Sequence, residues 1–93
     1  MVAVNTTESV DAVIRGIRDK ALAKKVVKCL ILLGQDHRHT GLGSHRFESF
    51  DSLYAERIWE SYVENRTPSA WRIWWFFGPE DGTITVVDIG PHP

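Results

Sequence analysis

Arginine and histidine are the residue types in this chain that could act on a phosphodiester, Arg57, Arg72 and His92 among them. Cleaving RNA without a metal requires a group that takes the proton from the 2′-hydroxyl, cationic donors for charge developing on the phosphoryl oxygens, and a proton source for the leaving oxygen. Arginine meets the second need, because its planar fork holds a phosphate at two points and keeps its charge. Arg57 and Arg72 fall on neighbouring expected strands, where parity permits a shared face. Imidazole titrates near neutral pH, so His92 suits the acid or base role. Glu60 or Glu56 could serve as base if burial or a neighbour tunes it. The plainer alternatives stay open: sheet-surface ion pairs between these arginines and Glu56 or Glu60, a solvated His92, and a merely solubilising Glu60.

Other polar groups admit two readings each. Asp36, His37, His39 and His45 are metal-ligand types, yet their spacing matches no closed site, and a polar loop with no metal and no cofactor is the expectation. Lys20, Lys24, Lys25 and Lys28 place positive charge along one helix, either to meet RNA or an acidic partner or simply as a solvated face. Trp59, Tyr62, Trp71, Trp74, Trp75, Phe76 and Phe77 must mostly fill a core. One or two of these rings left exposed could stack on bases or form the apolar part of a partner surface.

The elements that must position these groups can be read from periodicity. A chain of 93 residues with 43% hydrophobic residues suits one core and one site, spanning 1–93 as a single domain. Its formal net charge of −1 excludes a global positive field, so polyanion binding would need a local patch. The single cysteine, Cys29, excludes an intramolecular disulfide and a cysteine-rich zinc site. With no secretory leader or membrane span legible, a cytoplasmic protein is expected.

Val2-Ala3-Val4 predicts a short edge strand, and Asn5 with Glu8 has capping-box spacing for a helix carrying Val10, Val13, Ile14 and Ile17. Asp19 predicts the cap of a second helix with Leu22, Val26, Cys29, Leu30 and Leu33 on its apolar stripe and Gly34 as its stop. An exposed connection follows over 35–46. Strands are expected at 47–50, 57–63, 71–77 and 83–89, joined by turn-rich segments of hairpin length. The result is an α+β fold: a short N-terminal strand and an antiparallel helical hairpin packed on an antiparallel β-meander of about four strands.

This order of elements resembles the RelE/ParE toxin superfamily. The resemblance is carried by His45-Arg46-Phe47, like the start of the family's first meander strand, and by Leu53-Tyr54-Ala55-Glu56-Arg57-Ile58, like its aromatic-x-Glu-Arg-apolar run. Trp71-Arg72-Ile73-Trp74 is similar to its aromatic-Arg strand, and Val86-Val87-Asp88-Ile89-Gly90-Pro91-His92 to its closing strand. The resemblance implies the toxin of a type II toxin–antitoxin system, a metal-free endoribonuclease cutting messenger RNA on the ribosome. It implies Arg57, Arg72 and His92 as the catalytic residues, with His45 and Arg46 beside them; Glu60, as the possible base, completes the catalytic set, and Lys24 and Lys28 join His45 and Arg46 as candidates for RNA phosphates. The partners implied are a cognate antitoxin, the ribosome with its message, and no membrane, in a homodimer or a toxin–antitoxin hetero-oligomer. Two departures favour the alternative of a non-catalytic module, either gyrase-inhibitor-like or an inactive homologue. The chain is slightly acidic where the nucleases are basic, and it lacks their tyrosine near the C-terminus.

Overall fold

The computed structural model describes residues Met1 to Pro93. Strand β1 (Ala3–Thr6) runs into helix α1 (Glu8–Arg15). The helix cap is Thr7, whose hydroxyl accepts from the Val10 N–H at 3.3 Å, rather than Asn5. Asn5 is unavailable because it is still in strand register, opposite Thr85.

Helix α2 (Lys20–Gln35) starts at Asp19, whose carboxylate accepts from the Ala21 and Leu22 N–H groups at 2.9 and 3.2 Å. The helix runs past Gly34, the expected stop. That glycine instead admits β1, since a Cβ there would lie 3.2 Å from both the Val2 carbonyl oxygen and Val4 Cγ2. The Val2 N–H uses the space to donate to the Gly34 carbonyl at 2.8 Å.

After a single 3₁₀ turn at Thr40–Leu42 comes β2 (His45–Arg46), only two residues long. The strand expected at 47–50 does not form. Glu48–Phe50 is a 3₁₀ turn leading into the short helix α3 (Asp51–Tyr54). The spacing of Phe47, Phe50 and Tyr54 explains why: a helical path brings them together, with Phe50 4.7 Å from Phe47, 5.9 Å from Tyr54 and 5.3 Å from Trp74 between ring centres. Strands β3 (Trp59–Tyr62), β4 (Trp71–Phe77) and β5 (Thr83–Pro91) complete the sheet.

Its order is β1-β5-β4-β3-β2. Strands β2 to β5 form the expected antiparallel meander, and β1 adds a parallel edge on β5. One face packs Ile73, Trp75, Ile84, Val86 and Ile89 against Val10 of α1 and Val26, Cys29 and Leu33 of α2. The other buries Ile58, Trp74 and Val87 beneath the Phe47–Tyr54 segment. A register shift at Trp74/Trp75 sets Trp74 opposite Asp88 and Trp75 opposite Val86, so Val87 is the extra residue that joins this second cluster. The rest of the second face is uncovered by helices. No helix is long and apolar enough to cross a membrane.

Candidate functional site

Strand alternation decides which side chains reach the uncovered face. Along β3 and β4, Ser61, Ile73 and Trp75 turn to the helices, so Glu60, Tyr62, Arg72 and Trp74 turn the other way. The register then sets Glu60 beside both Trp74 and His45, and Tyr62 beside Arg72.

Glu60 is the centre of the arrangement. It is 1% exposed, and a carboxylate removed from water costs several kcal/mol unless its oxygens are met. The Trp74 indole N–H donates to Oε2 at 2.9 Å, and His92 Nε2 stands 3.5 Å from the same oxygen. His45 Nε2 is 3.1 Å and Arg72 Nε 3.6 Å from Oε1. The two imidazoles, each nearly half exposed, therefore close over opposite oxygens of one buried carboxylate.

Their second nitrogens constrain their protons. His45 Nδ1 lies 2.7 Å from the Gly43 carbonyl and His92 Nδ1 2.9 Å from the Pro93 oxygen, and only an N–H can satisfy either acceptor. A neutral ring would then turn a lone pair towards Glu60. With Nε2 also protonated, each ring would donate to a Glu60 oxygen.

Arg72 is built into this site as scaffold. Its Nη1 donates to the Glu64 carbonyl at 2.5 Å and the Trp71 carbonyl at 3.2 Å, and its guanidinium carbon lies 4.2 Å from the centre of the Tyr62 ring. Its buried Nε has no hydrogen bond and meets Glu60 only as charge against charge. The His92 ring is edge-on to Phe47, and its backbone N–H donates to the Ala70 carbonyl at 3.0 Å, which fixes the segment after β5. At the far side of Trp74, the Tyr54 hydroxyl bonds Asp88 at 3.3 Å, and burial, then the Asp88 charge, raises its pKa above the usual phenol value.

The remaining expected residues do not join the cluster. Arg46 forks onto Asp51 at 3.0 and 2.6 Å and donates to the Ile58 carbonyl at 2.7 Å, so it anchors α3 and has no fork free for phosphate. That guanidinium, helped by the Ile58 N–H, holds the Asp51 carboxyl down at about 2. Arg57 lies in the coil before β3, because the strand starts two residues later than its composition suggests, and no shared face with Arg72 arises. Lys24 and Lys28 are exposed on α2, which packs on the opposite face of the sheet from Glu60. The loop ligands disperse: Asp36 accepts from the Arg38 N–H, His39 Nδ1 accepts from the Gly41 N–H, and His37 lies against Trp75 and Phe77. Sequence reasoning missed Trp74 and Tyr62 as parts of the site. Their parity with Glu60 across the β3–β4 hairpin was the signal that would have found them.

No protein-family model matches the sequence, and no curated protein matches it either. Solved structures do match the fold. The archaeal RelE–RelB complex from Pyrococcus horikoshii OT3 contains a chain that superposes with a TM-score of 0.69 at 11% identity, over 97% of this chain and 93% of that one. A chain of the intact E. coli RelBE toxin–antitoxin complex gives 0.64 at 12%, over 100% and 99%. A metal-bound toxin from Helicobacter pylori gives 0.61 at 18%, over 99% and 96%. At these identities the likeness is one of fold, and residues 1–93 have the RelE toxin fold.

Proposed function

We propose that this RelE-fold chain acts as one domain, is the toxin half of a toxin–antitoxin pair, and cleaves messenger RNA through His45 and His92. The observation that carries the proposal is the convergence of two half-exposed imidazoles on the two oxygens of the buried Glu60. In the cleavage step the two half-exposed rings turn their Nε2 atoms from Glu60 to the RNA, and one imidazole, neutral, takes the proton of a 2′-hydroxyl. The 2′-oxygen then forms a bond to phosphorus while the bond from phosphorus to the 5′-oxygen breaks, and the second imidazole, charged, gives its proton to that leaving oxygen. The products are a 2′,3′-cyclic phosphate and a 5′-hydroxyl. Glu60 is too buried to touch RNA, so its part is to orient the rings. Arg72, also largely buried, adds positive potential under the phosphate.

The partner follows from the same fold. The Pyrococcus and E. coli counterparts are toxin–antitoxin complexes, and here Val27 and Ile31 stand more than half exposed on α2 beside Lys24 and Lys28. An acidic, amphipathic antitoxin segment in a cytoplasmic hetero-oligomer fits that strip. Ribosomes carrying a defined message provide the test. Wild-type protein should release fragments with cyclic-phosphate ends, and His45→Ala and His92→Ala should each slow release by about 10²–10⁴-fold.

A second reading is a non-catalytic interaction module of the same fold. It is favoured by the commitment of Arg46 and Arg72 to the protein's own acceptors and by the isolation of Arg57. Intact messages together with arrested DNA supercoiling, or with no growth effect on induction, would select it.

A further inference from the structure

Phe77, at the end of β4, is 51% exposed, an unusual position for a large ring in a sheet with this much aromatic core. It is held edge-on at 5.0 Å from the wholly buried Trp75 and 6.0 Å from Trp59, which itself stacks on Trp75 at 5.8 Å and 17°. The two outer rings are thus rigidly mounted while still meeting solvent. They are shared by two clefts, of about 400 and 360 Å³. The larger is also lined by His37, Arg38 and His39 and by no carboxylate. The smaller adds Arg57 and Glu56. Neither the Arg38 nor the Arg57 side chain makes a hydrogen bond or ion pair within the protein, in contrast to Arg46 and Arg72.

We infer that Trp59 and Phe77, flanked by Arg38 and Arg57, form a base-stacking subsite for single-stranded RNA. Rings alone would suit any apolar partner. Unpaired guanidinium groups beside them select a ligand that alternates flat faces with phosphates. The position relative to the proposed cleavage site supports this occupant. The rings lie on the helix-covered face, opposite Glu60, but Gly43 and Ser44, which line the larger cleft, lead directly into His45, and the edge strand between the two faces is only two residues long. A strand with its scissile phosphate between His45 and His92 can cross that edge and lay a neighbouring base on the rings. The inference deepens the nuclease reading and rests on it. It also returns Arg57 to a role on RNA, at a different place from the one its strand position suggested.

The test is fluorescence anisotropy of the full chain with a labelled, uncleavable 2′-O-methyl octaribonucleotide. Phe77→Ala should weaken binding by about 5- to 150-fold, the range for losing one stacked base, and Phe77→Trp should restore it. Arg38→Ala should weaken binding and lower the slope of log affinity against log salt by about 0.7. Should Phe77→Ala fail to fold, the Arg38→Ala slope and the Phe77→Trp affinity decide alone. Wild-type affinity in Phe77→Ala, an unchanged slope in Arg38→Ala, or no binding by the wild type would overturn the subsite. The nuclease reading is judged separately by His92→Ala on programmed ribosomes, so a failure of the subsite is distinguishable from a failure of that reading.

Discussion

Replacing Glu60 with glutamine keeps the side chain's shape while removing its charge, and the cost can be worked from the contacts. At 3.6 Å from Arg72 Nε, and with an effective dielectric constant of about 20, the lost attraction is on the order of 4–5 kcal/mol. The carboxylate's desolvation, several kcal/mol, offsets part of that in the wild type. Removing one partner of a buried pair usually costs about 3–5 kcal/mol because the other charge is stranded. Arg72 would be stranded only in part, since it keeps two backbone carbonyls and the Tyr62 ring, and the glutamine oxygen can still accept from Trp74. Glu60→Gln should therefore lose about 2–3 kcal/mol, a fall in Tm of roughly 10–20 °C for a chain of this size. His45→Ala and His92→Ala remove partners that are nearly half exposed and screened by water, and each should cost less than about 1 kcal/mol. Urea unfolding followed by tryptophan emission measures all three. A Glu60→Gln protein as stable as wild type, or a histidine variant weaker than it, would refute the claim that the carboxylate holds the cluster together.

Burial pushes the Cys29 thiol up to about 12, so roughly one part in ten thousand is thiolate at pH 8. Native protein should resist a thiol-specific disulfide reagent until urea is added, and prompt native labelling would contradict the packing around this residue. Asp51, held at about 2 against an ordinary value of 3.8, favours the folded state above that ordinary value and loses its effect as pH falls from about 4 to about 2. Asp51→Asn should flatten the acid limb of the stability curve across that window, and superimposable limbs would remove the Arg46 pair from the account. Gly43 has φ +54°, and a Cβ there would clash with the Tyr62 ring. Gly43→Ala should cost about 2–3 kcal/mol in urea unfolding, with an unshifted midpoint counting against the close approach. Leu33→Ala, at a site with no exposure, should cost about 2–5 kcal/mol by the same assay, and under 1 would mean that the helix–sheet interface is loose.

The architecture was legible where local chemistry and periodicity agree. Asp19 announced α2, and the apolar run Trp71–Phe77 announced a strand. Phe47–Phe50 misled because four aromatic-rich residues satisfy strand composition, while their true partner, Tyr54, lies a helical turn further on. Gly34 looked like a helix stop because the sequence does not display the strand that approaches it from thirty residues upstream. The site was half legible. Arg72, His92 and Glu60 were picked out as one catalytic set and His45 as a phosphate ligand, without the contacts that draw all four together. A glutamate in a strand reads as solvent-facing unless its neighbours across three other segments are known, and those neighbours are what bury Glu60. Arg46 and Arg57 show the same limit from the other side: a guanidinium's occupation depends on whether a carboxylate such as Asp51 folds back to it.

The pairing of β1 with β5 has a consequence for how the chain matures. The nascent N-terminal strand has no partner strand until residues 83–86 have been made, and the helical hairpin has no floor before β4 and β5 exist. Local turns and the β3–β4 hairpin can form early, but closure of the sheet is a contact of very long sequence separation and must come late. Ribosome-arrested chains ending at residue 82 should thus be digested readily by protease, whereas those extended past residue 93 by a linker should resist. The proposed cleavage at His92 would then wait until β5, the strand that joins β1 to the meander, has been made.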